Sequence, residues 1–345
     1  VGAGSASGGG ISQSGGGAAA PALAVAPDGT PYVAWQDDAD GDAEIYVRRW
    51  NGASWEEVGA GSASGGGISD NAGQSCHPAL AIAPDGTPYV AWHDDSDGDA
   101  EIYLRRWSGT VWEPVGGDTA SGGGVSDNAG TSRRPAVALD LFGMLDIVWQ
   151  DGSSGTAQIY ARHWGAGLWQ DLGEGAASDG GISDTGGDSG YPALVIPLSC
   201  TSYAAWHDDS AGVSQIYLRR WNGAFWAEMG ENSASGGGVS DNAGASYRPS
   251  LAGVTTSTPY VAWHDDSDGD AEIYVRRWNG EDWEEVGAGS ASGGGISDNA
   301  GQSRDAALVI APDGTPYVFW CDDSSGRYEI YARWYGLGVD TTRTR

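Results

Sequence analysis

Residues 59–75 read GAGSASGGGISDNAGQS, and residues 287–303 read the same without a change. The two copies start 228 residues apart, four times 57. Residues 87–107 and 258–278 agree everywhere except Leu104 against Val275. Equivalent segments begin at Gly2, Gly59, Gly116, Gly173, Gly230 and Gly287. The chain therefore reads as one domain, 1–345, of six repeats: 2–58, 59–115, 116–172, 173–229, 230–286 and 287–345. Self-similarity at a fixed period marks a repeat architecture before any local structure is considered.

One unit carries the signals of four strands. In the second copy, residues 78–83 form an apolar run that ends in the turn Pro84-Asp85-Gly86. An aromatic and β-branched run at 89–92 precedes the turn-rich residues 94–99. Residues 101–107 form a third run, and 112–115 a short fourth behind Ser108-Gly109. Short runs punctuated by Gly, Asp and Pro are strand and hairpin signals. No helical period is sustained, and 58 glycines oppose one. Four strands per repeat, copied six times, predict an all-β fold: a six-bladed β-propeller with four antiparallel strands per blade. An open solenoid would need capping repeats with polar outer faces, and a closed ring removes most sheet edge. The sixth copy lacks the Trp found in the fourth run of the others, so a terminus (residues 339–343) or another chain is expected to complete that blade by strand addition. Val1-Gly2-Ala3-Gly4 matches the tail of a fourth run, residues 58–61.

The stretch PALAIAPDGTPYVAW at 78–92, with its counterpart at 21–35, resembles NHL-type propeller repeats over about a quarter of each unit. The resemblance implies that the Pro-Ala-Leu strand lines the central channel. This sequence departs from the pattern in placing Trp after Tyr-Val-Ala and in its long Gly/Ser loop. The sialidase-type Asp-box, Ser-x-Asp-x-Gly-x-x-Trp, is absent. Tandem Gly/Ser/Asp-rich propeller repeats also resemble those of secreted and cell-surface bacterial proteins, which implies an extracellular or cell-surface location.

Hydrophobic residues make up 40% of the chain, enough for a packed core. The net charge is −30, and all 17 basic residues are Arg. A surface this acidic repels phosphate backbones and anionic lipid, which argues against nucleic acid and membrane partners. No apolar run approaches the roughly 20 residues that span a bilayer, so membrane insertion is not expected. Cys76, Cys200 and Cys321 fall at three different places in the repeat, which argues against a disulfide framework or zinc site.

Trp35, Trp92, Trp149, Trp206, Trp263 and Trp320 recur, as does an Asp two residues on: Asp37, Asp94, Asp151, Asp208, Asp265 and Asp322. An Ile-Tyr pair follows in every copy, at Ile102/Tyr103 in the second. These read as blade packing and turn-capping residues. The hairpin before Ile-Tyr carries alternate carboxylates around a Gly: Asp38, Asp40 and Asp42; Asp95, Asp97 and Asp99; Asp266, Asp268 and Asp270. A tight oxygen-rich loop suits a hard cation, so Ca²⁺ is the candidate metal. The other three copies lose part of the set, and a metal essential to the fold should appear in every blade. Asp70 and Asn71 of the Gly/Ser loop, with their counterparts, are placed to reach this hairpin. His93, His207 and His264 follow the constant Trp where other copies carry Gln or Cys321, and read as hydrogen-bonding side chains. The Arg pairs, such as Arg105/Arg106, are expected to include one member tied to acidic neighbours.

An enzyme needs an asymmetric set of groups around one point, whereas here the polar residues repeat nearly sixfold. The sequence therefore points to a non-enzymatic interaction module with near-identical, lectin-like sites for multivalent binding. Exposed Trp55, Trp112, Trp169, Trp226 and Trp283 are the candidate ligand-binding residues, and glycans the candidate partners. The alternative is a structural subunit that assembles with copies of itself, head to tail, in an extracellular fibre or matrix. A hydrolase or lyase on a propeller scaffold is the minor alternative.

Overall fold

A computed structural model describes residues 5–253 and 258–336. The chain is an all-β six-bladed propeller in which sequential antiparallel strands form each blade. Five sheets have four strands in chain order; the sixth has three among the described residues. Residues 339–343, expected to finish it, lie outside the described residues, as do Val1 to Gly4. The chain divides into two compact units. One comprises residues 1–155 and 161–172, the other 156–160 and 173–345.

Within a blade, burial follows the strand order. In blade two the second strand, Pro88–Asp94, is buried nearly throughout, with Val90, Ala91 and Trp92 wholly enclosed. Strands covered on both faces carry continuous apolar runs rather than alternating ones. The third strand, Glu101–Trp107, is buried only over its first half. The fourth, Trp112–Pro114, is too short to pair with more than residues 105–107 of the third.

The Gly/Ser loop supplies what the short fourth strand leaves out. Along the third strand of blade one (Glu44–Trp50), Val47 N donates to Ser62 O and Ile45 N to Ser69 Oγ, while Ile45 O accepts from Ile68 N. The loop leading to blade two therefore satisfies main-chain groups that would otherwise be buried without partners. The same bonds recur in blade two (Leu104 with Thr119, Ile102 with Val125), blade four (Leu218 with Ser233) and blade five (Val275 with Ser290). Such contact requires glycine at particular points. Gly67 has φ +64°, and a Cβ there would lie 2.2 Å from Ile45 O. Gly59, at φ +89°, would place a Cβ 2.2 Å from the Trp107 ring.

Arginine ties the layers together. Arg105 Nη1 donates to Ile68 O at 2.7 Å, and Arg276 Nη1 to Val239 O at 2.7 Å. The neighbouring Arg106 pairs with Glu113, and Arg277 with Glu284, both at 2.8 Å. In these two pairs one member has an acidic partner and the other holds a carbonyl of the preceding loop; Arg219 likewise donates to Ile182 O, while Arg220 stands opposite Ala227.

The first strand of every blade contains a bulge. In blade two (Ser75–Ile82) the register shifts between Cys76 and Ala79, and His77 takes φ +52°. Ala20, Arg134, Tyr191, Arg248 and Asp305, at the same repeat position, take φ from +47° to +57°. A side-chain-bearing residue rarely adopts this left-handed conformation.

Candidate functional site

The constant residues form buried ties between consecutive blades. Asp94 Oδ2 accepts from Ser75 Oγ at 2.6 Å, Asn71 Nδ2 at 2.7 Å and Trp92 Nε1 at 3.2 Å. Burial alone would raise the Asp94 carboxyl, but hydrogen bonds from Ser75, Ser96 and Asn71 outweigh it and hold it low. The same balance holds Asp322 at about 2. Asn71 N also donates to Glu44 Oε1 of the preceding blade at 3.0 Å. Burial pushes Glu44 and Glu101 up to about 7, against hydrogen bonds from Ser69 and Ser126 respectively. Asn71 thus bridges two carboxylates within the scaffold.

The acidic hairpins turn outward. Asp95 Oδ1 accepts from Gln74 N at 2.6 Å, Asp266 Oδ1 from Ala245 N at 2.6 Å and Asp38 Oδ1 from Gly17 N at 2.5 Å. Asp40, Asp97 and Asp268 are exposed; Asp42, Asp99 and Asp270 are half-buried. Among the described residues no group of three or more His, Cys, Asp or Glu side chains is gathered as a metal-ligand set. The fourth-strand indoles are at least half-covered, and Trp226 is buried. Trp112, Trp169 and Trp283 donate Nε1 to main-chain carbonyls of Val58, Val115 and Met229, and Trp55 donates to Ser5 Oγ. Each also packs on the third-strand Trp of its own hairpin, as Trp112 does on Trp107.

The chemistry gathers instead where the repeats disagree. The two bulge positions of the first strand read Ala19-Ala20, Cys76-His77, Arg133-Arg134, Gly190-Tyr191, Tyr247-Arg248 and Arg304-Asp305. The second-strand residue paired beside them reads Gln36, His93, Gln150, His207, His264 and Cys321. In blades four to six these positions line a cavity of 610 Å³, joined by Tyr328, which stands where the other copies have Ala or Ser. Its rings follow one another: Tyr191 to His207 at 5.3 Å, His207 to Tyr247 at 5.4 Å and Tyr247 to His264 at 5.8 Å between centroids. Arg248 lies 4.7 Å above the Tyr191 ring, donates to its hydroxyl at 3.2 Å and pairs with Asp305. Arg304 Nη2 donates to Gln302 at 2.8 Å.

Two expectations change here. His264 is only 9% exposed, and its Nδ1 is buried with no hydrogen-bond partner; Nδ1 of His93 is likewise unpartnered. Through Nδ1, these two make no hydrogen bond. Burial, with Arg248 and Arg304 adding to it against Asp305, brings His264 down to about 4, so it is neutral at neutral pH. A neutral imidazole avoids a buried unpaired N–H, which places the proton on Nε2. The expectation that no one-off polar set exists is also corrected, because His264, Tyr247, Arg248, Arg304 and Asp305 share one cavity. All five stand in the repeat columns that vary most from copy to copy, and Tyr247 and Arg304, like Arg248 and Asp305, lie 57 residues apart until the bulges bring them together. The signal for them in the sequence is disagreement among the copies, whereas the constant residues belong to the scaffold.

No family model matches the sequence, and no curated protein matches it, so the NHL resemblance rests on the quoted residues alone. Solved structures share the fold. A protein of unknown function from Dyadobacter fermentans is 12% identical, with 92% of this chain and 94% of that chain covered and a TM-score of 0.55. An ulvan lyase of a polysaccharide lyase family is 10% identical over 92% of this chain and 80% of that one, with a TM-score of 0.54. The alpha-L-arabinofuranosidase of Fusarium graminearum is 14% identical over 93% of both chains, with a TM-score of 0.51. These likenesses show the fold alone. The expectation of a non-enzyme, drawn from the repetition of the blades, is overturned, because a glycosidase and a lyase share this fold; the fold by itself assigns no activity.

Proposed function

We propose that the cavity of blades four to six takes a carboxylated carbohydrate. The observation that carries this reading is the distribution of arginine in a chain of net charge −30. Most arginines recur in third strands; the rest among the described residues are Arg133, Arg134, Arg248, Arg304 and Arg327. Two of these, Arg248 and Arg304, face one cavity with Tyr191, Tyr247 and Tyr328. A guanidinium fork matches a carboxylate, tyrosine rings suit the apolar face of a sugar, and Nε2–H of His264 offers a neutral donor. Two of the proteins that share the fold, by their names, act on carbohydrates.

This keeps glycans as the partner class but favours one asymmetric site over six equivalent ones. Calorimetric titration with oligogalacturonate and with a neutral oligosaccharide of equal length tests it. Saturable binding of the acidic sugar, weakened at least about tenfold by Arg304→Ala (about 1.4 kcal/mol), is expected. Equal affinity for both sugars, or an unchanged affinity in Arg304→Ala, would sink the reading. The same mixtures, assayed for new chain ends, report turnover.

A further inference from the structure

We propose that blades two and three carry a second anion site, in which Arg133, Arg134, His77 and His93 take a carboxylate or sulfate group. It is separate from the cavity of blades four to six and needs no residue of it. The first strands of the two blades, Ser75–Ile82 and Ser132–Leu139, lie side by side. Their bulges set His77 and Arg134 at φ +52° and +53°. The His77 and His93 rings stack at 5.1 Å between centroids. His77 N donates to Gln36 Oε1 at 2.9 Å, and Arg134 Nη1 to Gln150 Oε1 at 3.1 Å, so both bulges are held by neutral amides.

The charge pattern is the unusual feature. Burial brings His93 down to about 3, and the next causes in order are His77, Arg133 and Arg134, all of which oppose its protonation; Asp94 acts the other way and least. Two guanidiniums and two imidazoles are thus gathered on a chain that carries 47 acidic residues against 17 basic ones. Two guanidiniums held together, one of them on strained backbone, destabilise the protein alone, and an oxyanion between them reverses the sign of that interaction. Arg133 is exposed and Arg134 half-buried, which leaves a guanidinium open to the incoming group.

The test follows the imidazole proton resonances of His77 and His93 in the full chain at neutral pH, during titration with sodium sulfate and with digalacturonate. Saturable shifts are expected for at least one of the two. The midpoint should move at least tenfold in Arg133→Gln/Arg134→Gln, move several-fold in Gln150→Ala, which keeps every charge, and stay put in Arg304→Ala. Tighter binding of digalacturonate assigns the oxyanion to an acidic sugar; tighter sulfate assigns a free oxyanion. The site is ruled out if neither probe gives a saturable shift in the native chain. It is equally ruled out if Arg304→Ala removes the shift while the double variant keeps it. Because Arg304→Ala reports on the other cavity, failure of that reading and of this one are distinguishable.

Discussion

Glu44 and Glu101 show how one buried carboxyl sets a pH response. Each sits at about 7 in the folded chain, above an ordinary 4.5, because burial disfavours its charge. A value raised by folding means the protonated form is preferred there. The associated stability is full below the ordinary value and is lost as pH rises through about 7. Copies three and four carry Gln158 and Gln215 at this position; Gln158 Oε1 accepts from Ser183 Oγ at 2.8 Å and Thr185 N at 3.1 Å. Glu101→Gln should therefore keep the hydrogen bonds and remove the charge. Urea unfolding at about pH 8 is expected to show a gain of roughly 1–3 kcal/mol, shrinking towards zero near pH 5. A loss at both pH values would mean that the carboxylate, not the amide, is what the site requires. The constant aspartates behave oppositely: Asp94 and Asp322 are held low, so their contribution is lost only as the solution becomes strongly acid.

At the scale of elements, the long Gly/Ser loop acts as part of the sheet. Two of its glycines separate backbone strain from contact. Gly59 and Gly61 have φ +89° and +85°, yet a Cβ at Gly61 meets nothing within 4 Å while one at Gly59 meets the Trp107 ring at 2.2 Å. Gly61→Ala is expected to cost about 1 kcal/mol, the strain alone. Gly59→Ala should cost roughly 2–4 kcal/mol, because the indole of the next blade must also move. Thermal denaturation of the two variants measures the difference, and equal losses would show that the loop yields around Gly59 and relieves the contact with Trp107. The loop's regularity was legible in the sequence as a nearly unvarying stretch. Its task was not, because the fourth strand's shortness shows only once residues 105–107 are seen to exhaust its pairing.

At the scale of the molecule, charge and repetition are the two global facts. With a net charge of −30, self-repulsion opposes the compact state. Raising sodium chloride from about 0.01 M to about 0.2 M shortens the Debye length from ~30 Å to under ~10 Å and should raise the unfolding midpoint by several degrees. A midpoint that falls with salt would mean that the Arg–Glu pairs, such as Arg106–Glu113, outweigh the repulsion. Repetition made the architecture readable: a 57-residue period with four strand signals admits little else. The same repetition hid the site. Tyr191, Arg248 and Asp305 each look like noise against their five counterparts, and nothing local announces that their backbone is left-handed. The fourth-strand Trp residues also recur, and each packs on the third-strand Trp of its own hairpin.

The first-strand bulge has a consequence for how such a chain acquires new roles. Its two residues change in nearly every copy and the second-strand neighbour varies among Gln, His and Cys, while the aspartate of each tie, Asp94 and its counterparts, is constant. The framework thus tolerates rewriting at a few fixed addresses per blade. A library randomised at those addresses alone would preserve the fold and vary what the first strands present, much as variable loops do on a constant domain.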